Sequence, residues 1–304
     1  MYRIDVCPCC GNHNLSIWPA LLSPFILEYA TEGTVGLVDL ALCLNCGFQF
    51  FLNRYDKQEV STLYANYRSE QYYKVRHSYE FYYTRTFNAS LGNKEIEHRK
   101  AHLSQLLDRN NILTQVSSIL DYGGDRGQFI PDTVLERYVY EISGLEPVPG
   151  VTRLEREEDL VQRSFDLVML CHVLEHCSDP VDIVRKHAKL NVKFIYIEVP
   201  AENFRIIRIM PAKWYRKYVR LVSGLPRFLK AVIDLFTIAC RLKLRVIPPF
   251  AVINESEHIN YFTKPAISQL FMNNGFEPIE INYSGYRWPL GDKTLFCLAR
   301  KKVV

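Results

Sequence analysis

The chain contains no apolar run of the roughly 18 residues that a membrane span requires, so no transmembrane helix is expected. Its first residues, MYRIDVCPCC, hold neither an apolar core segment nor a cleavage pattern, which argues against a secretory leader and for a cytosolic chain. No internal repeat or low-complexity tract is visible, which speaks against a solenoid or an array. Acid is almost missing from one stretch. Residues 203–250 carry eleven lysines and arginines with Asp234 as the only carboxylate, leaving 26 basic against 32 acidic residues elsewhere, a charge of −6. One segment is basic and the body is acidic. No recognisable RNA or DNA module accompanies this charge, so nucleic acid is not an expected partner. What is present is a chain of 304 residues, 48% hydrophobic, long enough to bury a full core in one large domain or two smaller ones. Its nine cysteines, in a reducing compartment, point to metal binding or buried thiols and away from disulfides.

The organising stretch is 118–130, SILDYGGDRGQFI. A short apolar strand from Ser118 runs into Asp121, and Gly123, Gly124 and Gly127 make a turn after which a helix is expected to resume at Gln128 and Phe129. Glycine lets the backbone take positive φ and approach a ligand, and a helix N-terminus offers free N–H groups. The turn therefore suits a nucleotide-like ligand, although a βα turn without a ligand would look the same.

Two C-x-x-C pairs, Cys7 to Cys10 and Cys43 to Cys46, are each closed by glycine. Four thiolates on two such knuckles make a closed tetrahedral zinc site with no open position for catalysis. Cys9 is spare and could replace Cys7. The expected organisation is a zinc ribbon over 1–54, with FILEYA and VGLVDLALC as strands, then a tyrosine-rich linker or lid over 55–93. The core follows over 94–202 and 251–304, interrupted by a basic amphipathic helical insertion over 203–250. The tyrosines suit either a packing surface or a lid over a mixed ligand.

Within the core, 94–110 has helical spacing, and a second strand is expected to end at Gly144-Leu145-Glu146-Pro147. An acidic side chain at that strand end could accept both hydroxyls of a ribose, which makes Glu146 the candidate. FDLVML from Phe165 is a buried strand with His172, Glu175 and His176 past its end, and Asp179-Pro180 caps a helix reaching about Leu190. KFIYIEV from Lys193 is another strand; a helix from Pro265 to Asn274 and two antiparallel closing strands complete the pattern. Strands alternating with helices imply an α/β, doubly wound, Rossmann-like parallel sheet with ligands at its carboxyl ends.

CPCCG with CLNCG, ILDYGGDRGQF, GLEP, FDLVMLCHVLEHCSDP, IYIEVP and EHINYFTKPAISQLFMNNGF together resemble the class I S-adenosylmethionine-dependent methyltransferases that carry an N-terminal zinc-binding segment and modify sugars and polysaccharides. The resemblance runs from end to end and implies the methyltransferase sheet with an antiparallel last strand. It implies that Asp121 and Gly123 shape the pocket for the methionine part of the cofactor, with Gly124, Asp125 and Gly127 of the same turn as further candidate contacts. By the same resemblance Glu146 holds the ribose, Asp159 and Leu160 flank the adenine, and Cys171 with His172 lies under the sulfonium. One departure stands out: relatives have glycine at the third turn position, where this chain has Asp125.

Methyl transfer from a sulfonium needs proximity, alignment and a deprotonated acceptor. A sugar hydroxyl is a weak nucleophile at neutral pH, so a general base is expected, with His258 ranked before His176 and with Glu175 as an orienting carboxylate. O-methylation of a surface polysaccharide, or of its nucleotide- or lipid-linked precursor, is the implied activity. Sugar C-methylation and a non-catalytic scaffold on the same fold are its rivals. For the basic insertion, Val232, Leu235, Phe236, Ala239 and Leu242 form a helical stripe. Such a helix suits either an anionic membrane surface or a cap over the active site.

Overall fold

The computed structural model describes the chain except residues 32–35, 65–66, 68, 91–94, 288–292 and 303–304, so the expected boundary at 93/94 lies outside the described residues. The chain divides into two units. The first comprises Met1–Cys7, Gly11–Leu91 and Glu202–Tyr261, and the second Pro8–Cys10, Gly92–Ala201 and Phe262–Val304.

In the second unit, runs of buried aliphatic residues form a seven-stranded sheet. In chain order its strands are β1 (Ser118–Tyr122), β2 (Glu136–Tyr140), β3 (Thr152–Leu154), β4 (Ser164–Cys171), β5 (Asn191–Pro200), β6 (Phe276–Arg287) and β7 (Lys293–Lys301). They lie in the order β3-β2-β1-β4-β5-β7-β6. β1 to β5 pair in parallel, with Leu120 opposite both Tyr138 and Val168. β7 runs antiparallel to β5 and to β6, placing Cys297 opposite Ile197 and Ile281. Strand order reverses between β1 and β4, and in such a sheet ligands settle outside the carboxyl ends at that point.

One core cluster joins Leu103, Leu106 and Leu107 of the helix Ile96–Arg109 to Ile119, Leu167 and Phe194 of the sheet. The helix expected from Gln128 is absent. Residues 123–135 run instead through turns and bends, and Pro131 interrupts any helical hydrogen-bond ladder there. Phe129 and Ile130, 6% and 1% exposed, are buried in that same cluster from irregular backbone. The helices Pro180–Lys189 and Lys264–Met272 contact one another and lie outside that cluster. The first is capped as the sequence predicts: Asp179 Oδ1 accepts the N–H groups of Val181 at 2.9 Å and Asp182 at 3.0 Å.

The first unit holds a five-stranded sheet in the order Asn254–Glu255, Leu15–Leu22, Leu37–Cys43, Gln49–Phe51, Asn260–Tyr261. FILEYA is not a strand. Pro24–Tyr29 is a helix with proline in its first turn, and its Phe25 and Ile26 are fully buried. The outer two strands come from beyond the basic segment and hydrogen-bond to the ribbon. Ribbon, tyrosine-rich helices and residues up to Tyr261 therefore share one core that includes Phe25, Leu63, Tyr72, Tyr83, Phe204 and Tyr261. The second unit resumes at Phe262, eleven residues later than the sequence reading placed the core's return. The basic segment forms two helices, Ala212–Ser223 and Arg227–Leu244.

Candidate cofactor site and cysteine cluster

β1 carries Asp121 to its carboxyl end, where the chain folds back over it. Gly123 (φ 70°) donates its N–H to Tyr140 O at 2.8 Å, and Gly127 (φ 69°) donates to Gly124 O at 2.8 Å. All three glycines are sterically required. A Cβ on Gly124 would lie 2.1 Å from Asp121 Cγ, one on Gly123 2.9 Å from Val173 Cγ2, and one on Gly127 2.8 Å from Val151 Cγ1. Asp125 occupies the third position with φ 52°, the left-handed region that glycine adopts freely and aspartate only at some cost.

Asp121 is fully buried, and neither of its carboxylate oxygens has a hydrogen-bond partner. Burial raises its pKa to about 7; Arg99 opposes that shift, while Asp125, Glu198 and Glu141 add to it. Arg99 is already engaged, its Nη2 lying 2.5 Å from Glu198 Oε2 and its guanidinium 3.5 Å from the Phe129 ring centroid. Burial, with Glu198 nearby, also holds the Cys171 thiol well above its ordinary range.

The second strand differs from expectation. It ends at Tyr140, and Glu141, immediately past its end, accepts the Asp125 N–H at 3.1 Å and the Ser143 N–H at 2.9 Å. Glu146 lies six residues beyond the strand end, exposed, and its backbone carbonyl accepts Arg126 Nε at 2.9 Å. The strand-end acid that the sheet places beside the turn is thus Glu141. Its position after the aromatic run Tyr138-Val139-Tyr140 was the available signal. Asp159 and Leu160 sit on the short helix Glu158–Val161; Leu160 is buried and Asp159 pairs with Arg156 at 3.0 Å.

Past β4, His172 takes φ 58° and donates its backbone N–H to Glu198 O at 2.9 Å. Its Nδ1 lies 3.0 Å from Glu175 Oε1, so this buried carboxylate orients His172. His176 follows in the same turn, with its N–H on Val173 O at 3.0 Å.

His258 belongs to the first unit. Its sequence neighbour Glu257 turns away, to Tyr72 and to Arg76 Nη1 at 2.7 Å. The carboxylate on His258 is Glu202, with Oε2 3.0 Å from Nδ1. Burial alone would raise the Glu202 pKa, yet His258, Arg241 and Arg245 hold it down at about 2. The pair joins residues far apart in sequence, and no local spacing announced it.

Cys7, Cys10, Cys43 and Cys46 bring their sulfurs within 4.8 Å of one another, with Cys7 and Cys46 Sγ 3.6 Å apart. A tetrahedron with Zn–S bonds of about 2.3 Å has edges of about 3.8 Å, so the donor set fits zinc. The knuckles are near copies: Gly11 (φ 70°) donates to Cys7 O at 2.8 Å, and Gly47 (φ 73°) to Cys43 O at 2.9 Å.

A family described as a methyltransferase domain matches residues 96–281, more than half of the chain. The chain belongs to this methyltransferase-domain family. It is a class I S-adenosylmethionine-dependent methyltransferase, with the sheet order and antiparallel β7 described above. No curated protein matches the chain. Solved structures to which the chain is similar include magnesium protoporphyrin IX methyltransferase from Synechocystis PCC 6803 with bound SAH, 12% identical over 70% of this chain and 84% of that one, TM-score 0.40. Another is 1,6-didemethyltoxoflavin-N1-methyltransferase from Burkholderia thailandensis, 14% identical over 88% and 96%, TM-score 0.45. Likeness at this level says nothing about the acceptor. The methyltransferase's own residues fit the cofactor: a tight turn of required glycines, a buried carboxylate without a hydrogen-bond partner that suits an ammonium, and a strand-end acid suited to ribose hydroxyls.

Proposed function

We propose that the protein methylates a hydroxyl group of a sugar-containing acceptor. The observation that carries the cofactor half of this reading is Asp121, a buried carboxylate without a hydrogen-bond partner beneath a turn whose three glycines tolerate no Cβ. Asp121 would hold the cofactor's ammonium, directly or through one water, and Glu141 rather than Glu146 would accept the ribose hydroxyls. Gly123 and Gly127 let the turn close against Val173 and Val151, Leu160 and Asp159 remain the candidates beside adenine, and Cys171 with His172 those under the sulfur. Bound there, S-adenosylmethionine supplies a methyl group already activated for in-line displacement. The sugar half rests on the joint occurrence of the cysteine knuckles, LEH followed by Asp179-Pro180, and the late EHINYF segment.

A hydroxyl acceptor needs a proton taken from it. His258 is the proposed base: an Nδ1–H donated to Glu202 puts the lone pair on Nε2, and the carboxylate stabilises the imidazolium that forms. His176 is the second candidate, with Glu175 and His172 as a hydrogen-bonded pair in the same turn. We also assign a structural zinc to the four cysteines. Methyl transfer assayed against a panel of nucleotide sugars and lipid-linked glycans tests the activity. A methyl ether at a sugar hydroxyl oxygen is the expected product; a new carbon–carbon bond would make it a C-methyltransferase. A scaffold without catalysis is favoured by one observation, the left-handed Asp125 in the turn, and absence of S-adenosylmethionine binding would establish it.

A further inference from the structure

We propose that the helix Arg227–Leu244 docks the protein on an anionic lipid surface, lying in the plane of the interface with its outward apolar stripe among the acyl chains. The helix is inside-out. At 100° per residue Phe228, Val232, Leu235 and Phe236 share one side, and they are 69%, 42%, 39% and 52% exposed. The opposite side carries the polar groups. Asp234 accepts hydrogen bonds from Tyr82 Oη and, at 2.6 Å, from Asn254 Nδ2, while Arg241 Nη1 donates to Tyr261 Oη at 3.4 Å and Thr237 is buried. A helix meeting water shows the reverse arrangement. The core has no claim on the stripe, because only Ala231 and Thr237 of this helix are buried.

Charge selects the occupant. Asp234 is the single acid of residues 203–250 and it is turned inward, so no carboxylate of this segment faces outward. Arg205, Arg208, Lys213, Lys217, Arg220 and Lys243 are exposed, and the preceding helix adds an exposed Trp214, a residue suited to the headgroup layer. Two-fold pairing of the stripe with a second copy would set these cations against their own symmetry mates. Anionic headgroups complement them, and acyl chains take the stripe. No helix among the described residues is long and apolar enough to cross a membrane, which leaves the interfacial position.

Flotation of the full-length chain tests this independently of methyl transfer. Vesicles of phosphatidylcholine alone should leave the protein in solution, whereas vesicles with about 30% phosphatidylglycerol should carry it at low salt and release it at about 0.5 M NaCl. The variant Phe228→Ser/Leu235→Ser/Phe236→Ser should partition at least about tenfold less while circular dichroism shows it folded like the parent. Lys213→Glu/Lys217→Glu/Arg220→Glu should lose binding to a similar extent. The proposal is overturned if the intact protein does not float with anionic vesicles at low salt, or if the serine variant floats as well as the parent. It is equally overturned if light scattering shows a dimer that the serine variant converts to monomer, which would make the stripe an interface between copies.

Discussion

Asp121 and Glu202 are both carboxylates removed from water, 0% and 4% exposed, yet burial drives Asp121 up to about 7 while Glu202 is held at about 2. The difference lies in what surrounds each. Glu202 receives the His258 imidazole at 3.0 Å and has Arg241 and Arg245 nearby. Around Asp121 the neighbours are mostly acids, and the one cation, Arg99, is paired with Glu198. A buried carboxylate with its counter-ions in place stays ionised, whereas one without is pushed toward its protonated form until a cation binds. The first unit therefore carries a finished acid–base pair, and the second a buried carboxylate whose nearby cation, Arg99, is engaged by Glu198.

The largest expected effect removes one side of the comparison altogether. Stripping zinc with a chelator, or replacing Cys43 and Cys46 by serine, should unfold the ribbon and with it the setting of Glu202 and His258, because a structural zinc is worth on the order of 10 kcal/mol. Circular dichroism alongside metal analysis checks this, with one zinc per folded chain as the expected stoichiometry.

Next comes Asp121 itself. Its pKa is raised from 3.8 to about 7, so the folded state keeps a proton that the unfolded chain loses, and cofactor-free stability should fall as pH rises from about 4 to about 7. Asp121→Asn should abolish that slope and stabilise the cofactor-free protein above pH 7 by up to about 4 kcal/mol, read by urea unfolding at two pH values. Glu202 has the opposite sign. Lowered from 4.5 to about 2, it contributes stability that is present above about 4.5 and lost as pH falls through about 2. Glu202→Gln should cost about 3 kcal/mol at pH 7. If His258 is the base, kcat should fall with little change in the affinity for S-adenosylmethionine, which a KM-against-kcat comparison resolves. The smallest effect concerns the turn: Asp125→Gly relieves a left-handed aspartate and should raise stability by about 1 kcal/mol or less, without weakening the cofactor, as thermal melts with and without ligand would show.

Much of the second unit was legible because its signals are local. β4 and β5 are unbroken apolar runs and Asp179-Pro180 is a helix start by chemistry, while outside that unit's sheet the spacing of the glycine-closed knuckles pointed to the clustering of four sulfurs. The failures are tertiary. Phe129 and Ile130 look like the apolar face of a helix, but they fill the core from turns, with Pro131 forbidding the helix. FILEYA has strand-like composition, yet Ser23-Pro24 ahead of it was a helix-start signal that outweighed β propensity. Glu146 drew attention through its Gly-x-Glu-Pro setting, whereas the strand had already ended at Tyr140. Glu202 could not be found, since its partner lies across the whole basic segment and only the fold brings them together. The stripe on Arg227–Leu244 was visible, but which way it faced was not.

Calorimetric titration of S-adenosylmethionine into the parent and Asp121→Asn, with all else held constant, tests the central claim most directly. Binding by the parent and at least about tenfold weaker binding by the variant is the predicted result, since a charge-assisted hydrogen bond contributes about 1.5–3 kcal/mol. No binding by the parent, or equal affinity in the two, would contradict the assignment of the glycine turn and Asp121 to the cofactor.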